Sequence, residues 1–205
     1  EANRLGIMLD VSHISDDAVR DHLRLSKAPI IASHSNVRKL CDHPRNLTDE
    51  LILGIAKGGG VIQLNFAAQY VSADYLVKYN ERKALIALKE KEIDERLAGQ
   101  EEKASAEKEK LSASVPRPPP PPLEDWFEHV DYIARLVGKE YVGLGSDFDG
   151  IGAWPGELKD ITSIDIVTAG LLERGWSEKE LAGFYSGNLL RVWKKVEEVS
   201  GRLER

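Results

Sequence analysis

Residues 5–34 read LGIMLDVSHISDDAVRDHLRLSKAPIIASH. Two apolar runs lie in this stretch, and each ends in Ser-His, at His13 and at His34. Between them Asp16 to Ser26 has a helical pattern, with Ser15 as N-cap and Val19, Leu23 and Leu25 among its apolar positions. A strand–helix–strand unit makes the two strands parallel and brings both imidazoles to the carboxyl edge of one sheet. That edge is where α/β proteins gather ligands, metals and chemistry.

The pattern continues outward. Residues 5–12 and 29–33 read as the first two strands, and a loop with Asn36, Arg38, His43 and Arg45 follows. Thr48 caps a helix over 49–57, which halts at Gly58-Gly59-Gly60, and residues 61–66 form a third strand. From Tyr79 to Ser114 the chain is rich in Ala, Glu, Lys and Leu with mixed charge, the mark of a solvated helix or helical hairpin. The run Pro116 to Pro122 favours polyproline II. The frame resumes with Trp126, Val130, Ile133 and Val137 on one helix face, then Gly138 and a fourth strand over 141–145. Ser146-Asp147-Phe148-Asp149-Gly150 sits at its carboxyl end. The rest is helical: 163–174, a segment opened by a Ser177/Glu180 capping box, and a last helix with Leu189, Leu190, Val192, Trp193 and Val196. Three parts result: 1–78 with three β/α units, 79–122 as an insertion, and 123–205 with the last unit and the terminal helices. Four β/α units make half of a (β/α)8 barrel, and an open four-stranded sheet fits the same pattern.

Composition narrows the partners. With 205 residues, 42% hydrophobic and 30% charged, the chain has an ordinary soluble globular make-up. A net charge of −6 and the lack of a basic stripe argue against nucleic acid. Cys41 is the sole cysteine, so no internal disulfide forms. No apolar run reaches the roughly 20 residues that span a bilayer. The compartment stays open, and the abrupt start three residues before a strand suggests upstream residues.

His13, His34, Asn65 and Asp147 occupy strand ends. Two imidazoles and a carboxylate make a partial zinc site, although a catalytic zinc takes about three protein ligands. The other reading makes both histidines satisfied turn residues. His22 and His43 read as surface positions, His43 with a supporting role open to it, and His129 receives no role. Arg45 and Arg38 have near-equal claims to clamp a substrate carboxylate. Asp147 and Asp149 are candidates to move a proton, or simply turn-forming aspartates.

Several strings together resemble the membrane dipeptidase (renal dipeptidase) family of metallopeptidases: Gly6 to Ser15, Ala28 to Ser35, Arg45-Asn46, Val61 to Phe66, Val142 to Gly150, and Gly187 to Val192. The resemblance implies a (β/α)8 barrel with two zinc ions that hydrolyses dipeptides, in some members with a D-residue at the carboxyl end. By position it makes His13 and His34 zinc ligands on the fifth and sixth strands. It makes Arg45 the reader of the substrate carboxylate. Asp147 becomes the carboxylate that contacts the substrate amine and the bridging water. The family's His-x-Asp pair, bridging glutamate and further histidine are absent from this sequence. The expectation is therefore strands five to eight of a barrel, stable and active only with an amino-terminal half, and a homo-oligomer when complete. The rival expectations are an inactive half-barrel scaffold that works through its insertion, and a binuclear-metal hydrolase of cyclic amides or lactones.

Overall fold

The computed structural model describes residues 1–203. Its centre is a parallel sheet of β1 (Ile31–Ala32), β2 (Val61–Asn65) and β3 (Val142–Ser146), in that spatial order. Ile31 pairs with Val61, and Ile62 with Val142; the β2–β3 register slips between Leu64 and Asn65, at the carboxyl end. Such irregularities re-aim side chains beside functional sites.

The strand expected over 5–12 is the main correction. Ala2–Leu5 forms a short helix, α1, and the rest joins the sheet through one parallel bridge, Asp10 to Ile31. Two hydrogen bonds hold it there, Val11 N–H to Ile31 O at 2.8 Å and Ile31 N–H to Leu9 O at 2.9 Å. The segment has a sheet neighbour on one side only, which shortens the ladder.

Helix α2 (Asp16–Leu25) starts where Ser15 Oγ accepts the Ala18 N–H, and buries Val19; Leu25, read as an apolar position, is exposed. Helix α3 (Asp49–Lys57) starts at Thr48, whose hydroxyl accepts the Leu51 N–H, and buries Leu51, Ile52, Ile55 and Ala56. A single turn, α4 (Ala68–Val71), leads into the hairpin α5 (Ala73–Arg96) and α6 (Glu101–Ser114), so the helical segment starts six residues before Tyr79. Helix α7 (Leu123–Val137) buries Trp126, Val130 and Ile133 as their spacing demands. Helices α8 (Ile164–Glu173), α9 (Glu178–Ala182) and α10 (Asn188–Leu203) complete the chain, with a π-turn at Gly183–Gly187. The Ser177/Glu180 capping box forms as expected.

The two faces of the sheet differ. Ile30, Ala32, Ile62, Leu64 and Val142 face a core filled by α3, α7 and Phe66, Trp126 and Phe184. On the other face, Ile31 and Val61 meet Val192 and Val196 of α10. Toward the carboxyl end this second face carries Gln63, Gly143 and Gly145. A Cβ on Gly145 would collide with the Ser33 carbonyl oxygen and lie 3.0 Å from His34 Cα. Alternate strands of a flat sheet stand about 9.5 Å apart, so the ends of β1 and β3 curl toward each other over β2. Among the described residues no helix is long and apolar enough to cross a membrane.

Candidate functional site

The curl brings the strand ends together. His34 follows β1 and His13 precedes α2, and their Nε2 atoms lie 2.7 Å apart with the rings tilted by 56°. His13 holds φ 82, and at the end of β3 Ser146 and Asp147 hold φ 35 and φ 69. These are the only non-glycine residues with positive φ among those described, and all three lie at this edge. Each such conformation costs on the order of 1–3 kcal/mol and persists only where its surroundings enforce it.

The enforcement is visible around His34. Its N–H donates to Ser12 Oγ at 3.0 Å, and its carbonyl accepts from Asn65 Nδ2 at 3.0 Å. Asn65 is locked in turn by Asn36, which accepts the Asn65 N–H and donates to its carbonyl. Asn65, a strand-end candidate, thus shapes the backbone rather than facing the cleft.

A second set of bonds fixes the protons on the ring. The Asp10 carboxylate accepts the Ser12 and Ser33 N–H groups at 3.0 Å each, and the Ser33 hydroxyl at 2.6 Å. An ionised carboxylate only accepts, so the single Ser33 hydroxyl proton points to Asp10. Ser33 Oγ, 2.6 Å from His34 Nδ1, then accepts the Nδ1 proton. The His34 Nε2 lone pair is left to accept the hydrogen bond from His13 Nε2–H. Burial lowers the His34 pKa most; the Asp147 carboxylate opposes this, and the charges of Arg45 and His13 add to it. A neutral ring with an unprotonated Nε2 is the form that binds metal.

The donor set suits a divalent metal in part. Two imidazole nitrogens on one tetrahedral zinc stand about 3.3 Å apart, so the pair needs to open by less than 1 Å. Among the described residues no group of three or more His, Cys, Asp or Glu side chains gathers to complete a site.

The two arginines separate. Arg38 is spent: it forks onto Asp16 and donates to the Asn46 and Pro44 carbonyls. Arg45 is half-buried, lies over the Tyr70 ring at 5.7 Å, and lines a cleft of about 580 Å³ with His13 and Ser15, in which Arg38 and Asp16 also stand as a closed pair. His43 supports that loop: its Nδ1 accepts the Arg45 N–H at 3.1 Å and its ring packs on Tyr70. The aspartates separate too. Asp147 is half-buried and its charge reaches His34, whereas Asp149 is exposed. Phe148 between them packs on Phe66 at 5.1 Å and pins the turn.

Sequence reasoning missed three residues. Asp10 and Ser33 were read as strand positions, although each stands near a Ser-His. His129, given no role, is fully buried on α7. Its Nδ1 accepts the Val37 N–H at 3.0 Å and its Nε2–H donates to the Val71 carbonyl at 2.8 Å. It ties the loop after His34 to the end of α4. Burial holds its pKa down at about 4. His22 is half-buried, with Nδ1 2.7 Å from the Ala18 carbonyl.

Comparison with known proteins finds dipeptidases among both sequences and solved structures. Over 199 residues the chain is 31% identical to Dipeptidase 3 of Mus musculus and 30% identical to Dipeptidase 3 of Homo sapiens, covering 97% of this chain in both cases. It spans about a third of the length of those relatives, 31% and 32%. Among solved structures, the probable dipeptidase PvdM from Pseudomonas aeruginosa superposes with a TM-score of 0.76 at 31% identity, covering 96% of this chain and 52% of that one. A metallo peptidase from Rhodobacter sphaeroides, solved with a phosphinate mimic of the dipeptide L-Ala-D-Ala, superposes with a TM-score of 0.71 at 26% identity, covering 95% and 44%. The family described as membrane dipeptidase (peptidase family M19) matches residues 1–205, and the chain belongs to that family.

Proposed function

We propose that this chain supplies half of the active site of a zinc-dependent dipeptidase, as strands five to eight of a (β/α)8 barrel. The observation that carries the proposal is the convergence of the His13 and His34 Nε2 atoms, with the His34 tautomer set through Ser33 and Asp10. The curl of the sheet at Gly145 supports the barrel reading. The absence of a third ligand among the described residues, and coverage of only about half of the solved relatives, support a site completed by an amino-terminal half. That half is part of the same chain or a second polypeptide.

His13 and His34 would hold one of two zinc ions. When bound, zinc supplies polarisation of the peptide carbonyl and activation of water near neutral pH. Arg45 binds the free carboxylate of the substrate with two parallel hydrogen bonds. Asp147 binds the substrate amine, accepts a proton and returns it to the departing amine. A site that pairs a carboxylate and an amine one peptide unit apart rejects longer peptides, because their extra backbone leaves those charges unmatched. The phosphinate ligand of the Rhodobacter relative supports a dipeptide substrate, with a D-residue tolerated at the carboxyl end.

The test compares L-Ala-D-Ala with its C-terminal amide on the complete zinc-loaded protein that carries this chain. The acid is expected to be cleaved at least about 100-fold faster (kcat/KM), the loss of a charged pair. Arg45→Gln should erase most of that difference. Equal cleavage of acid and amide would favour a hydrolase of cyclic amides or lactones, and no cleavage of either would favour the scaffold.

A further inference from the structure

A small pocket of about 180 Å³ lies where the inserted hairpin, the proline run and the loop after β3 meet. Its lining includes Gln69, Tyr75, Tyr79, Arg82, Arg117 and Gly152, with two guanidinium groups and no carboxylate, in a chain of net charge −6. Arg82 donates to the Val115 carbonyl at 3.1 Å and to the Ser112 carbonyl at 2.7 Å; Arg117 donates to the Gly152 carbonyl. A guanidinium has five N–H donors, so both keep donors in reserve. The Arg117 guanidinium packs against Gly152, where an added Cβ would stand 2.7 Å from Nη1.

The second observation is Tyr75. Only 3% of it is exposed, its ring stacks near-parallel on Tyr79, and it lines the pocket. An acceptor bound in the pocket would receive the hydrogen-bonding proton of this phenol. Burial raises the Tyr75 pKa, and the charges of Arg117 and Arg82 oppose it, which sets both guanidiniums close to this phenol.

We propose that this pocket binds a small oxyanion, a phosphate or a carboxylate group, held by Arg117, Arg82 and the Tyr75 hydroxyl. The donors are all N–H or O–H groups and the net local charge is positive, as oxyanion recognition requires. The volume is below the range of drug-sized ligands and suits one such group. An occupied pocket would tie the hairpin and proline run to Gly152, five residues after Asp147 in the loop that follows β3. This proposal does not depend on the peptidase reading.

The test is a thermal-shift titration of the complete protein with inorganic phosphate and with acetate, each at constant ionic strength. Saturable stabilisation by either anion is expected, with the midpoint raised at least tenfold in Arg117→Gln and in Tyr75→Phe. Arg45→Gln should leave the midpoint unchanged, which separates this pocket from the candidate active site. No saturable effect from either anion, or one that vanishes in Arg45→Gln and survives in Arg117→Gln and Tyr75→Phe, would overturn the proposal. Arg117 is exposed and Tyr75→Phe keeps the ring, so both variants should retain the fold.

Discussion

The α5–α6 hairpin and the strand-end site are built on opposite principles. In α5 and α6 only Tyr75, Ile86, Ile93 and Ala104 are buried, and the surfaces carry ion pairs such as Lys78–Asp74 and Lys108–Asp94. Local spacing and mixed charge suffice to specify such helices. At the strand ends, buried polar groups, Asn36, Asn65, His129 and Ser35, are satisfied across long sequence distances, and three residues adopt positive φ. The hairpin should therefore tolerate substitution, whereas the site should fail when one bond of its network is lost.

Four substitutions sharpen that contrast. The largest effect belongs to His34→Ala, which should abolish dipeptide hydrolysis and zinc retention in the complete protein, read by turnover and by metal content after dialysis. Next is His129→Phe, which leaves the Val37 N–H and the Val71 carbonyl unpaired. Each such group costs about 1–3 kcal/mol, so a total loss of roughly 3 kcal/mol is expected by chemical denaturation.

His129 also predicts a pH dependence. In the unfolded chain it takes up a proton near pH 6.5, and in the folded chain only near pH 4. Between these values the unfolded state holds more protons, so stability is full above about 6.5 and falls as the pH drops toward 4. The fall from this group is at most about 3 kcal/mol, and it should be missing in His129→Phe. A wild-type curve no steeper than the variant's over that window would contradict a buried neutral His129.

The third effect in size is Ser33→Ala, which frees the His34 tautomer. Removing such a supporting hydrogen bond typically weakens metal binding about 10–100-fold, measurable by competition with a chelator. Unchanged affinity would remove Ser33 and Asp10 from the account. The smallest is Lys108→Ala on α6, where an exposed pair is worth about 0–1 kcal/mol. A loss above that would mean the hairpin does not tolerate substitution as expected.

Much of this was legible in the residues. Ser15, Thr48 and the Ser177/Glu180 box announced helix starts that the structure keeps, because a cap acts within one turn. The Ser33-His34 string located the end of β1. The strand over 5–12 was over-read, since alternation and apolarity do not reveal how many sheet neighbours a segment has. His129 was hidden by its acidic neighbours Glu128 and Asp131, yet it lies between Trp126 and Ile133 on the buried face of α7. Its partners are 92 and 58 residues away, so no local pattern could name them. Position alone leaves Arg45 and Arg38 level and the resemblance favours Arg45; the fork of Arg38 onto Asp16 is a contact that no local pattern announces.

The most direct test is an anomalous difference map at the zinc edge, from crystals of the complete protein that contains this chain. The account predicts a peak within coordinating distance, about 2.0–2.1 Å, of both His13 Nε2 and His34 Nε2. Imidazoles turned apart, with no peak between them in zinc-loaded crystals, would contradict it.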